Sequence, residues 1–579
     1  MAFPNFSIST YAIAGVVFVL VYLLRRAALP QPIPGIPYHK KSAKSIFGDV
    51  PSLLRHQARR PEVFDWMTAQ ARELNSPVYQ LFVKPFGRPK VIVLDHREGH
   101  DIMHCRSKEF DRSELFADVF SGAAPNHHIV LPTNAQFRAQ RKLLLDTMSP
   151  HFLNNVAAKH LYKQALNLLE LWRVKSRLSG GHAFAVDADI NEMAHDAIWA
   201  VAFGSEVNTI RSQLELLATD PAVQEPASIE EAIKLPKATL PAEYEAVMVM
   251  SDSIEFSLRS PWPRPAHWLY RQTPTYKRAN ALKENLVQRH LEDAQRRLLK
   301  ATSREDMIDC ACDHMILRER QAAEREGRAP QYDTPIVRDE LIGYLVAGHD
   351  TTSTTIMWGT KFLADNPSAQ SKLRAALHDA YPEAHANGTL PSMQAIIKTD
   401  VPYLDAAMEE ISRKANTGPG QYRKTTTDVD VLGYTIPKDT DVFLMANGPG
   451  FVEANPFEGH IREEQRSKTS REAKGRIPDW DETDISAFKP ERWLKNGVFD
   501  PLAGPTSPFG AGVRGCFGRK LAMLEMRIMF TLIFWSFDLP QLSKGLSGYG
   551  AVDKLTHKPL QCFARPIDLL GKKEDSTTA

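Results

Sequence analysis

The sequence predicts a mainly α protein in three parts. These are an N-terminal transmembrane helix (residues 1–28), a proline-rich hinge and lead-in (29–50), and one helical domain with a small sheet (51–579). Three observations carry the prediction. Residues 1–24 hold no charged side chain, and YAIAGVVFVLVYLL (11–24) is continuously apolar. Six stretches, 134–149, 152–177, 187–203, 274–300, 306–325 and 335–366, repeat apolar residues at the period of a one-sided helix. Two short runs, VYQLFV (78–83) and PKVIVLD (89–95), have strand composition and meet at Gly87 and Pro89.

A helix from Phe6 to Leu24 would reach about 28 Å, enough to cross a bilayer core. Arg25 and Arg26 follow at once, then Lys40, Lys41 and Lys44. A cleavable signal carries its positive charge before the apolar run. Charge after it predicts an uncleaved anchor with the remaining chain on the cytosolic side. The competing reading is a buried core helix. The next segment, LPQPIPGIP (29–37), is a stiff extended linker, because proline suits neither a helix interior nor a central strand.

In the body, residues 51–75 have helical spacing, and no repeat or internal boundary follows. The proline-rich segment 217–265 is the least regular part, and the charged stretch 463–484 reads as a surface loop. With 43% hydrophobic and 24% charged residues the chain has material for a core. A net charge of +2 over 579 residues excludes a dedicated nucleic-acid binder. Five scattered cysteines (105, 310, 312, 516, 562) form no disulfide framework and suit a reducing compartment.

The stretch SPFGAGVRGCFGRKLA (507–522) carries the chemistry. Gly510, Gly512 and Gly515 spell the G-x-G-x-x-G of dinucleotide folds, which requires a strand before it and a strand–helix–strand unit around it. The run-in PLAGPTSPFG is no such strand. The alternative is a metal site at Cys516. Glycines 510, 512, 515 and 518 let backbone approach a bulky group, and the apolar-periodic run after Cys516 places the sulfur near a helix N-terminus. Helix dipole, amide N–H groups and Arg514 then favour the thiolate.

The pattern Phe509-x-x-Gly512-x-Arg514-x-Cys516-x-Gly518 resembles the haem-binding signature of the cytochrome P-450 superfamily. Three further motifs match in order. In AGHDTTS (347–353), Ala347, Gly348 and Thr351 share a helix face, and the Thr351 hydroxyl competes for the Ala347 carbonyl. The resemblance implies that this groove holds dioxygen, with Thr351 hydrogen-bonding to it and Asp350 relaying protons. Glu410 and Arg413 form the family's E-x-x-R pair, and FKPERW (488–493) supplies Arg492 to the same buried charge network. At FRAQRKLLLDTMSP (137–150) the family's W-x-x-x-R becomes Phe137 and Arg141. Phenylalanine cannot donate a hydrogen bond, so Arg141 alone carries over as a propionate contact, with Arg423 a looser candidate. CACDH (310–314) offers Cys310 and His314 one turn apart, but no second cysteine pair completes a zinc site.

The resemblance runs from about Pro30 to Pro566 and is nearest to fungal microsomal members, notably at WDETDISAFKPERWL (480–494). It implies the cytochrome P-450 fold, long helices around haem b with small β-sheets, and Cys516 on the iron. Phe509, Gly512, Arg514, Gly518 and Arg141 would surround the cofactor. Electrons would come from NADPH through a separate NADPH–cytochrome P-450 reductase, with cytochrome b5 as a second donor. Arg514, Arg519, Lys520, Arg138 and Lys142 would offer that partner a basic face. The implied activity is monooxygenation of an apolar small molecule in fungal secondary metabolism, at the endoplasmic reticulum membrane. An apolar substrate suits the distal loop 115–132, whose basic residues are His127 and His128, and the uncharged face at Tyr344, Ala347 and Gly348. Two alternatives stand beside it, a haem-thiolate isomerase or dehydratase acting on a peroxide and a non-catalytic haem sensor or carrier.

Overall fold

Long amphipathic helices need a partner for every apolar stripe, and this chain satisfies them by packing helix on helix around one large core. The computed structural model describes residues 8–300 and 308–570. The six expected helical stretches fold as Ala135–Leu143, Ala158–Leu178, Asp187–Phe203, Pro274–Lys300, Ala311–Glu326 and Pro335–Asp365. The last of these is the spine. It opens with Pro335 in its first turn and with the Thr334 hydroxyl accepting the Val337 N–H at 3.2 Å. Its side chains are then buried on every face, because other helices surround it.

The expected strand pair is antiparallel, with Val78 opposite Val93 and Leu81 opposite Lys90. It lies at the edge of a five-stranded sheet ordered Val78–Leu81, Lys90–Val93, Asp441–Met445, Gly420–Thr425, Phe110–Arg112. Lys90–Val93 and Asp441–Met445 run parallel, and the other neighbours are antiparallel. This sheet, with its own apolar clusters, brings residues more than 300 positions apart in the chain side by side.

Three expectations are corrected. Within 217–265, the helices Ala242–Leu258 and Pro263–Tyr270 form, and 218–241 and the link 259–262 lack a helix. Pro241, Pro263 and Pro265 sit at the helix starts, where a missing N–H costs nothing. The 463–484 stretch is pinned to the helix His96–His104 and its cap. Arg466 donates to both Asp95 oxygens at 2.8 and 2.6 Å, and Ser467 to Asp101 at 2.6 Å. The N-terminal helix runs Ile8–Ala28, but among the described residues no helix is long and apolar enough to cross a membrane. The expected transmembrane segment, residues 1–28, lies partly outside the described residues, and its described part is not long and apolar enough to span.

That helix does not join the core either. Every residue from Val16 to Leu24 is at least half exposed, on all faces. The proline segment after it is held: Ile33 accepts from and donates to the Gln80 amide at 2.9 Å, and Ile36 accepts from it at 2.8 Å. Truncation before Pro30 keeps these contacts. It is expected to leave the urea midpoint unchanged to within about 0.5 kcal/mol, as for surface changes generally. A truncated chain that unfolds measurably earlier would return the helix to the core.

Candidate functional site

Cys516 stands between the turn Gly512–Arg514 and the helix Arg519–Ser536. Its amide donates to the Phe509 carbonyl at 2.8 Å, closing the loop 509–516. Gly512 is obligatory there: φ is +66°, and a Cβ would lie 2.0 Å from the Met103 carbonyl oxygen. A Cβ on Gly518 would meet nothing within 4 Å, so that side of the loop is open. The Cys516 thiol is accessible, whereas Cys310, Cys312 and Cys562 are buried. Burial around Cys516 pushes its thiol up. The N–H groups of Gly518 and Arg519 and the guanidinium groups of Arg141 and Arg519 oppose that shift and favour the thiolate.

Arg514, expected beside the sulfur, points elsewhere. Its Nε donates to Thr133 Oγ1 at 2.8 Å and its Nη2 to the Leu131 carbonyl at 2.5 Å. Arg141 instead holds the loop, donating to the Val513 carbonyl at 2.7 Å, and lies 5.2 Å from the Phe517 ring.

Along the spine helix, Val346, His349, Thr352 and Ser353 are buried, yet Ala347 and Thr351 are exposed. They lie one turn apart on one face, and side chains within a core are accessible only where the interior leaves a void. Thr351 Oγ1 donates to the Ala347 carbonyl at 2.8 Å, as the spacing predicts. Gly348 does not share that opening. A Cβ there would lie 2.4 Å from Ile198 Cγ1, so this glycine admits the helix Asp187–Phe203 instead. Asp350 is buried and turned toward the C-terminal hairpin. Thr556 Oγ1 donates to its Oδ2 at 2.9 Å, and Lys558 Nζ lies 3.8 Å from its Oδ1.

A cluster of cations completes the site. Arg112 and Arg423 are directly opposite in neighbouring strands, a like-charge pair that is unfavourable without a counter-charge. Arg112 Nε, Arg423 Nη2 and Arg514 Nη1 are buried with no hydrogen-bond partner. Burial pulls Arg423 and Arg514 down to about 10, helped by Arg514 at the first and Arg141 at the second and opposed at both by Asp111. Arg112 is lowered by burial and then by Arg514 and Arg423. Phe137, where the family has tryptophan, lies under Arg514 with its ring centre 3.7 Å from the guanidinium carbon. Orphaned guanidinium N–H groups call for an anion. An accessible cysteine, an internal void and arginines awaiting carboxylates together fit a haem with its two propionates.

Glu410, Arg413 and Arg492 meet as expected. Arg413 grips Glu410 through two bonds, at 2.8 and 2.7 Å, and Arg492 Nε donates to it at 3.2 Å. Lys489 N and Trp493 Nε1 add two donors at 2.9 Å. Burial alone would raise the Glu410 carboxyl. Arg413 and Arg492 overcome it and hold the group below the ordinary carboxylate range.

On the surface, Arg138, Lys142, Arg519 and Lys520 are exposed, but Arg514 is buried and leaves the expected basic face. Among the described residues the one group of three with metal-ligand reach is His127, His128 and Glu340. That group, and Arg112, are what sequence reasoning missed. His127 and His128 were visible as residues of the distal loop, but Glu340 lies over 200 positions away and Arg112 has no motif around it.

The family model for cytochrome P450 matches residues 44–449 and 484–545. The interval it skips contains the segment clamped onto His96–His104. A cytochrome P450 monooxygenase of Pestalotiopsis microspora is 38% identical across 98% of this chain and 100% of its own length. The monooxygenase TRI13 of Fusarium sporotrichioides is 35% identical across 93% of this chain and 96% of its own. A third relative, the Hps1-dma1 cluster cytochrome P450 monooxygenase of Dothistroma septosporum, is 37% identical across 44% of this chain and 85% of its own.

Proposed function

This chain belongs to the cytochrome P450 family of monooxygenases, and we propose that it inserts one atom of O2 into an apolar small molecule of fungal secondary metabolism. The observation that carries the reading is the accessible Cys516 thiol in a domain that also leaves three guanidinium nitrogens without acceptors. Bound haem b would supply the oxygen chemistry, with electron donation from a thiolate favouring O–O cleavage.

The chain's own residues divide the remaining work. Cys516 Sγ would hold the iron, and the Gly518 and Arg519 amides would temper its charge. Arg112, Arg141, Arg423 and Arg514 would take the propionates, and Phe509 and the open side of Gly518 would border the ring. Thr351 Oγ1 would turn from the Ala347 carbonyl into the void and donate its proton there. Asp350 would resupply that proton, with Thr556 and the partly exposed Lys558 linking its carboxylate toward solvent. NADPH-derived electrons would arrive from a separate reductase, or from cytochrome b5, on the exposed face of Arg138, Lys142, Arg519 and Lys520.

The free-standing apolar surface of Val16–Leu24 supports attachment to the endoplasmic reticulum membrane with the domain in the cytosol. The uncharged surroundings of Ala347 and Thr351 support an apolar substrate, since an unpaired carboxylate would cost several kcal/mol to desolvate. The cluster in the Dothistroma relative's name supports a biosynthetic setting.

Reconstitution with a P450 reductase and NADPH, followed by mass analysis of fungal extracts, tests the reading: a product heavier by one oxygen is expected. In the same assay Thr351→Ala is expected to keep haem and to keep consuming NADPH. Product per NADPH should fall on the order of 10²-fold, the scale of one lost proton donor, with hydrogen peroxide released instead. Undiminished coupling would remove Thr351 from proton delivery.

A further inference from the structure

The buried group His127, His128 and Glu340 ties the distal loop to the spine helix, and it is no metal site. His127 Nδ1 accepts the Ile129 N–H at 3.1 Å, so its one ring proton is on Nε2, 3.4 Å from Glu340 Oε2. That nitrogen has no lone pair to offer a metal. Glu340 accepts the His128 backbone N–H with one oxygen and His128 Nδ1 with the other, both at 2.7 Å. Three N–H groups converging on one buried carboxylate make hydrogen bonding, not coordination, the purpose of the cluster.

This arrangement fixes which nitrogen of His128 is left over. Nδ1 is committed to Glu340, and among the described residues Nε2 has no hydrogen-bond partner, on a side chain 14% exposed. The charges acting on His128 are Arg141 from the helix Ala135–Leu143, Arg112 from the strand Phe110–Arg112, and Arg514 from the cysteine loop. Glu340 faces it from the spine helix and His127 from its own loop. The His128 ring lies 6.0 Å from that of Phe137, on which the Arg514 guanidinium stacks at 3.7 Å, so His128 belongs to the same cluster as the orphaned Arg514 nitrogen.

We propose that His128 is a further, proton-bearing contact of the haem carboxylates, and that Glu340 is the positioning residue that aims its Nε2 at them. The inference rests on the haem reading above. Without an anion in the cluster, burial and then the three arginines hold His128 near 3, so it is neutral. Two carboxylates among those arginines cancel the repulsion. An imidazolium would then sit between Glu340 and a propionate, donating one N–H to each. Haem binding thus takes up a proton at His128. The sign follows: haem is held more tightly on the acid side of the bound imidazolium's titration, and the added grip is lost as pH rises through it.

The experiment compares haem transfer to apomyoglobin from wild type and from His128→Phe between pH 5.5 and 8.5. The ratio of rates, variant over wild type, cancels the titration of the iron ligand itself. It is expected to be about tenfold or more at the acid end and to fall toward unity at the alkaline end. Burial raises the Glu340 carboxyl to about 7, so at the acid end it stays ionised only with the imidazolium beside it. Glu340→Gln removes that charge, and its own advantage over His128→Phe should disappear at a lower pH than in wild type. A ratio that stays flat overturns the proposal, and so does a Glu340→Gln profile that superimposes on wild type. Should His128→Phe lose its haem on purification, the displacement of the Glu340→Gln profile from wild type decides alone. The carbon-monoxide spectrum of each protein separates the two readings. If wild type lacks the thiolate band, the haem-thiolate reading itself fails; a normal band with a flat ratio removes only His128.

Discussion

Cys516→Ala is expected to abolish the carbon-monoxide band of thiolate-ligated haem and to reduce oxygenation to background. The argument is one of supply. An iron ligand must be a thiolate that the iron can reach, and burial makes Cys310, Cys312 and Cys562 poor candidates: it pushes Cys562 up to about 12 and raises Cys310 and Cys312 well above the ordinary thiol value. Cys105 is exposed, but it ends the helix His96–His104 with its thiol raised, because burial and the neighbouring Asp101 carboxylate outweigh Arg476. Cys516 alone combines access with two amide donors and two nearby arginines. The fold should survive, because the side chain is accessible and its removal opens no core cavity. The far-ultraviolet circular dichroism should match wild type, and Cys105→Ala should keep the thiolate band. A thiolate band retained by Cys516→Ala would send the assignment to another cysteine.

Much of this was legible because the information was local. A cysteine among closely spaced glycines before an apolar helix declares its geometry within twelve residues, and the E-x-x-R pair declares itself within four. The six helical stretches showed as apolar-periodic runs, although the spine helix among them proves to be buried nearly all round. The misses are failures of locality. Arg112 gains its meaning from Arg423, opposite it across a sheet that joins segments 311 positions apart. Glu340 gains its meaning from a loop more than 200 residues earlier. Gly348 looked like part of a groove because its neighbours are, and only the position of Ile198 reveals the helix it admits. Arg514 matched the signature by position, but its direction is set by the Leu131 carbonyl and Thr133. The segment 217–265 misled in its second half, where Pro241, Pro263 and Pro265 begin helices rather than break them.

The second large effect is expected far from the chemistry. Arg413→Ala should destabilise the domain by about 3–5 kcal/mol, the range for removing one partner of a buried ion pair. Glu410 would keep Arg492, Lys489 N and Trp493 Nε1, so it would not be abandoned. The Phe451 and Ile485 carbonyls, however, would both lose their bonds to Arg413 Nη1, at 2.6 and 3.0 Å. Against a total of about 5–15 kcal/mol for a typical domain, that loss is a large part of the margin. Arg492→Ala should cost less, since Arg492 reaches Glu410 through one bond at 3.2 Å while Arg413 reaches it through two shorter ones. Glu410→Gln tests the charge alone: it keeps the shape but leaves two buried guanidinium groups facing a neutral amide, and should approach the Arg413→Ala loss. The sign with pH is set by the lowered Glu410 carboxyl. Its contribution is fully present above the ordinary carboxylate pKa and is lost as pH falls through the lowered value, so the gap between wild type and Glu410→Gln should narrow on acidification. Denaturant midpoints at pH 7 and pH 4 read both predictions. Equal midpoints for wild type and Glu410→Gln at pH 7 would show that the network's charges contribute nothing to holding the fold together.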